Sequence, residues 1–258
     1  MLAIAPAAQW PLVLRFGPAL ALLPVGLLLG RVDATGLLAG LMFIGWVTSH
    51  RRLPPGIGVA GMLLGGLLLA AHQLPGFTPL PLASPQELGG SRSWTLQLSF
   101  DKALVAATLL GWWLGHARPG RCRPIAVAAV AFAALVAVPL LALATDVLGW
   151  SPKWPEHLLR WLAINLLVTS LAEELLFRAL LQRWLIERLG VAAGVLLTAL
   201  LFGAAHLPFS AAFAAIAALA GLAYGLAFHL SGNRLTVAVA LHTAVNAVHL
   251  LLLTYPLP

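Results

Sequence analysis

Long apolar stretches, separated by short clusters of Arg, Pro and Gly, occupy most of this chain. Nine of them stand out, at about 10–30, 34–49, 56–72, 102–116, 125–147, 157–188, 190–207, 209–230 and 235–255. None alternates apolar and polar residues as a barrel strand would, and most approach the roughly 20 residues that a membrane helix needs. Helices are therefore expected throughout. Gly and Pro recur inside them (GMLLGG at 61–66, Pro139), which packed membrane helices tolerate. The pattern predicts an all-α fold, a polytopic transmembrane helix bundle of about eight to nine spans. Residues 73–101 interrupt it with a Pro- and Gly-rich run, read as a connector rather than a structured cap. No internal repeat is evident, which argues against a transporter built from inverted repeats.

Composition changes the solvent. Of 258 residues, 61% are hydrophobic and 9% charged, against roughly 45–50% and ~25% in soluble domains. A globule this apolar could not cover itself with polar groups, so the partner is a lipid bilayer. A net charge of +7 would suggest nucleic acid in a soluble protein. Here the cations sit between apolar runs and orient the chain instead. With nine helices and a cytoplasmic N-terminus, Arg51, Arg52, Arg118, Arg121, Arg123, Arg183, Arg188 and Arg234 share one side. The other holds Asp33, Glu87, Asp101, Asp146 and Glu156, with Arg31, Arg92, Lys102, Lys153 and Arg160 among them. The basic excess marks the cytoplasmic face of a multi-pass protein, expected in a bacterial inner membrane. The first residues lack the basic region of a signal peptide and read as leading into a retained span. Cys122 is the only cysteine, so neither an intrachain disulfide nor a cysteine metal cluster can form.

Two acids lie in the middle of an apolar run. Glu173 and Glu174 fall inside TSLAEELLFRALL, where an ionised group costs about 2.5–3.5 kcal/mol on insertion scales. Helical spacing separates them. Glu174 and Arg178 are four apart and share a face, within reach of an ion pair. Glu173 is turned about 100° away and has no partner on its own helix. It reads either as a carboxylic acid kept protonated by desolvation or as a carboxylate poised as a general base.

Two more polar pairs follow on separate runs. LLFGAAHL places Phe202 and His206 on one face, and ALHTAVNAVHL does the same for His242 and Asn246. Either histidine alone would be read as a core residue bonded to a carbonyl. His50, His72, His116, His157 and His229 look interfacial. His249 shares the face of His242 but lies nearer the helix end, and is set aside.

Together the motifs read Glu173-Glu174-Leu-Leu-Phe-Arg178, Phe202-Gly-Ala-Ala-His206 and His242-Thr-Ala-Val-Asn246. This order resembles the intramembrane endopeptidases of the CAAX protease and bacteriocin-processing family, and among them the type II CAAX prenyl endopeptidases. The resemblance covers roughly 157–255. It implies that Glu173 and His206 hold an attacking water while His242 and Asn246 stabilise the oxyanion. Glu174, Arg178 and Phe202 are implied to support them. On this reading 151–258 is a catalytic core and 1–150 supplies further membrane helices and the 73–101 loop.

The chemistry suits these residue types. Peptide hydrolysis needs an activated water, a proton for the leaving amine and donors for the oxyanion. Glu173, His206, His242 and Asn246 can supply all three without a cofactor, on a membrane-associated peptide or protein. A zinc enzyme using Glu173, His206 and His242 is the nearest rival, although no HExxH is present. A proton-coupled transporter, or a non-catalytic scaffold or immunity protein, is the alternative of another class. The three ionisable groups are expected to converge on one watery cavity inside the bundle. Straight helices would leave Glu173 and His206 separated in depth by on the order of 15 Å. Either a break near the glutamates or a 207–210 turn within the membrane would close that gap.

Overall fold

The structure is a computed structural model that describes residues 10–88 and 93–255. The reading of residues 1–9 as a run-in to the first span, and Arg92, lie outside the described residues. The helices are α1 (Leu12–Leu28), α2 (Ala34–Ser49), α3 (Pro55–Ala70), α4 (Phe100–Leu114) and α5 (Pro124–Ala144). They continue as α6 (Leu158–Ile164), α7 (Leu171–Glu174), α8 (Arg183–Leu189), α9 (Val191–Ala204), α10 (Ala211–Leu230) and α11 (Leu235–Leu252). By length and composition α5, α10 and α11 can each cross a membrane, and α1, α9 and the 56–70 part of α3 are shorter apolar helices. The chain is an integral membrane protein.

α6, α7 and α8 are not separate rods. The stretches between them, Asn165–Ser170 and Leu175–Gln182, are π-helical, so helical winding is continuous from 158 to 189. A break at the glutamates is one of the two solutions expected from sequence. The structure has none: it widens the helix on both sides of a four-residue α turn that ends in Glu173-Glu174. Wide turns of this kind are rare and concentrate at functional sites.

Residues 73–101 also depart from expectation. They carry β1 (Leu80–Pro81), β2 (Gln86–Glu87), β3 (Ser93–Trp94) and β4 (Gln97–Leu98), with β1 antiparallel to β4 and β2 to β3. Buried leucines hold its described residues in place. Leu88 and Leu96 enter a cluster with Leu158, Trp161 and Leu250, at about 1.5–3 kcal/mol for each fully buried side chain.

The chain forms two compact units. The first comprises 1–81, 97–118 and 167–176, the second 82–96, 119–166 and 177–258. In the first unit α2 starts at Asp33, whose carboxylate accepts from the Thr35 and Gly36 amides at 2.8 and 3.1 Å. This satisfies two of the donors a helix start leaves open. Ala19, Leu23, Ile44 and Leu104 form its core. Gly40 lets α2 approach, since a Cβ there would meet Leu23 and Leu104 at 2.6 and 2.9 Å. Small residues at such crossings are how helices pack where lipid removes the hydrophobic drive.

The second unit repeats that device. A Cβ on Gly203 of α9 would meet the Ala214 carbonyl and Ala218 of α10 at 2.6 Å each. Fully buried Gln182 donates to the Gly225 carbonyl of α10 at 3.0 Å. Helix α5, with only 17% of its most apolar window buried, keeps most of its surface for lipid.

Candidate active site

The second unit contains a cavity of about 70 Å³, room for several waters. His206, His242 and Asn246 line it, with Phe202, Tyr224 and His249 and an apolar wall from α5 and α10. The third and second motifs therefore meet, from two different elements, on one space.

Local bonds set each polar group. His206 lies in the turn just after α9, and its Nδ1 donates to the Phe202 carbonyl at 2.8 Å. That bond puts the proton on Nδ1 and leaves Nε2 to accept. The i, i+4 spacing seen in sequence is thus a side-chain-to-backbone bond that fixes the tautomer. The His242 ring is buried and stacks on Tyr224, with centroids 4.6 Å apart and planes 17° apart. Phe202 meets His242 edge-on at 5.8 Å. The Asn246 amide nitrogen donates to Asn165 Oδ1 at 3.3 Å, which orients the amide as a donor.

Arg178 is fully buried. Its guanidinium carbon lies 4.9, 5.7 and 5.9 Å from the ring centres of Phe202, Tyr224 and Phe177. Cation–π attraction is strongest where water is excluded, so three aromatic faces ease the burial of this charge. Phe202 accordingly touches Arg178, His206 and His242, a denser role than its place in a motif suggested.

Glu173 and Glu174 belong to the first unit. Glu174 is fully buried. Glu173 has a partner that its own helix could not reveal: Lys102 Nζ of α4 lies 3.3 Å from Glu173 Oε1. Next to Lys102, buried Asp101 accepts from His72 Nδ1 at 2.7 Å and from the Lys102 amide at 2.8 Å. Neighbouring polar residues on α4 thus hold one another in place.

The Lys102–Glu173 side chains are only 18% and 17% exposed. Removing one partner of a shielded pair costs more than the pair contributes. Lys102→Met is expected to lose on the order of 3 kcal/mol, read as a lower unfolding midpoint in detergent, while Lys102→Arg keeps most of it. An unchanged midpoint for Lys102→Met would show that the pair is idle.

Sequence reasoning missed Lys102, Asn165, Tyr224 and His249. Only His249 carried a signal: it is seven residues after His242 on the same helical face. It lines the cavity, and its Nε2 donates to the Thr254 carbonyl at 3.1 Å. Outside the helices, Lys153 donates to the Ser151 carbonyl at 2.7 Å and to that of Leu253, a cavity residue. Burial lowers the proton affinity of this ammonium.

Residues 155–248 match a family model described as Type II CAAX prenyl endopeptidase Rce1-like. The matched stretch contains all three motifs, from Glu173 to Asn246. No curated protein and no solved structure matches the chain significantly. The chain is thus a membrane protein whose segment 155–248 is similar to the type II CAAX prenyl endopeptidases, a family of peptide hydrolases.

Proposed function

We propose that this protein is an intramembrane endopeptidase that cuts a peptide bond of a membrane-associated substrate with a glutamate-activated water. The observation that carries the reading is that His206, His242 and Asn246 open onto a shared cavity. Its walls are otherwise largely apolar, so these few polar groups decide what chemistry can occur there.

The residue types fit a complete hydrolysis. Glu173 takes a proton from water, and the resulting hydroxide attacks the scissile carbonyl carbon. His206, with its free-standing acceptor nitrogen, orients that water. The carbonyl oxygen becomes an oxyanion, which the Asn246 amide and His242 stabilise as donors. Collapse breaks the C–N bond, and Glu173 returns its proton to the departing amine. Donors held in place before charge develops are worth more than donors that must reorganise, and the Asn165 bond and the Tyr224 stack do that holding. Glu174, Arg178 and Phe202 keep the surroundings in register. The catalytic machinery lies in 151–258 and works in a bundle of eight to nine spans in a bacterial inner membrane. Residues 1–150 contribute at least Lys102 beside the base.

No metal is assigned to the reaction, because a carboxylate matched to its surroundings suffices as base. Purified protein in liposomes, mixed with membrane-anchored peptides, is expected to generate new amino termini at the same rate with and without a zinc chelator. His206→Ala should not. Loss of cleavage on chelation, restored by zinc alone, would replace this mechanism with a metal-dependent one. Absence of any cleavage by folded protein across a broad peptide set would reject the protease reading.

A further inference from the structure

At one end of the first unit, cations gather without an acid among that unit's described residues. Arg15 is on the first turn of α1, His50, Arg51 and Arg52 form the turn that closes α2, and His116 and Arg118 follow α4. Asp33 and Asp101 begin α2 and α4, whose 16 and 15 residues put those carboxylates about 22–24 Å away at 1.5 Å per residue. Residues 1–9 contain no acidic side chain. Among the described residues, neither Arg15 nor Arg51 has an ion-pair partner.

What they do bond to is neutral and already used. Arg15 Nε donates to the Gly111 carbonyl at 2.8 Å and its Nη2 to that of Trp112 at 3.4 Å. The Trp112 carbonyl also accepts from His116 Nδ1 at 2.7 Å. His116 Nε2 then has one lone pair, which Arg51 Nη2 occupies at 2.8 Å. His50 is spent in the same way: its Nδ1 donates to the Val47 carbonyl at 2.7 Å and its Nε2 accepts from Trp112 Nε1 at 3.3 Å. Arg15 also lies directly against Gly115, where a Cβ would meet its Nη2 at 2.1 Å. Arg51 therefore bonds to the His116 ring, and Arg15 shares with that ring the Trp112 carbonyl.

Capping the end of α4 accounts for Arg15, and His116 accounts for one donor of Arg51. Neither bond neutralises a charge, and each guanidinium has five N–H donors. The leftover donors and two like charges call for an anion with several acceptor oxygens. Trp46 and Trp112 lie at this same end, and tryptophan favours the headgroup level of a bilayer.

We propose that Arg15 and Arg51, with Arg52 beside them, bind a phosphate group carried by the headgroup of an anionic phospholipid. Basic clusters at helix ends bind such headgroups through the same chemistry. Inorganic phosphate presents the same oxygens, so the test separates the two sources.

Full-length protein, stripped of lipid in a neutral detergent, is titrated with phosphatidylglycerol and, separately, with inorganic phosphate. Native mass spectrometry counts the bound molecules. Wild type is expected to bind phosphatidylglycerol saturably. Arg51→Gln should weaken binding about five- to ten-fold, at roughly 1 kcal/mol or a little more per cation, and Arg51→Gln with Arg52→Gln further still. Arg188→Gln, an exposed cation of α8, should bind as wild type. Arg51 is exposed, so its variant folds even if Arg15→Gln, which loses the α4 cap, does not. Binding of the lipid without competition from millimolar phosphate identifies the headgroup as ligand. Displacement by phosphate identifies a soluble anion at the same site. Equal lipid affinity in wild type and the double variant, or binding of neither ligand, overturns the proposal.

Discussion

Glu173→Gln protein is expected to cleave substrate about 10²–10⁴-fold more slowly per folded molecule, with an unfolding midpoint lowered by the weakened pair with Lys102. The amide matches the carboxylate in shape and still accepts a hydrogen bond from Lys102, but it cannot take a proton from water. Glu174→Gln should behave differently. Glu174 is fully buried, and on the sequence spacing it is the glutamate that faces Arg178. Changing one member of a buried charged set destabilises far more than an exposed change would. Lower yield and a lower midpoint are therefore expected, with turnover per folded molecule largely kept. Both variants should be assayed on one substrate at matched folded concentration. A dead, well-folded Glu174→Gln beside an active Glu173→Gln would reverse the assignment.

Asn246→Ala is the second large effect. If its amide donates to the oxyanion, the loss falls on the transition state and not on the bound peptide. The expected result is a fall in kcat of about 10²–10³ with KM within a few-fold. Asn246→Asp should do no better, because a carboxylate cannot donate and adds charge where negative charge develops. Asn165→Ala should show a milder fall, since Asn165 only orients the amide through its 3.3 Å bond. A raised KM with unchanged kcat for Asn246→Ala would make it a binding residue and remove it from the oxyanion site.

Much of this architecture could be read in advance because its causes are local. The predicted 34–49 segment matches α2, since Asp33 caps its start and the apolar run stops at His50. The pairs Phe202–His206 and His242–Asn246 were visible because i, i+4 residues share a face whatever surrounds them. The Lys102–Glu173 pair, the Tyr224–His242 stack and the Asn165–Asn246 bond were not, because each joins residues from 18 to 81 positions apart. No local pattern marks them. The β2–β3 pair hid for another reason. It lies in a Pro- and Gly-rich run that reads as a connector, while the packing of its described residues depends on Leu88 and Leu96 finding Leu158, Trp161 and Leu250. The π turns leave no local signature either.

Those wide turns bear on how the gene for this protein can vary. A π turn holds one residue more than an α turn, since its bonds run to i+5 in place of i+4. Deleting one residue from Leu175–Gln182 can therefore be absorbed by tightening the turn, and the helix beyond stays in phase. The same deletion inside α10 would rotate every following side chain by about 100°. The stretches on either side of Glu173-Glu174 are thus places where chain length has slack, bracketing residues whose orientation has none.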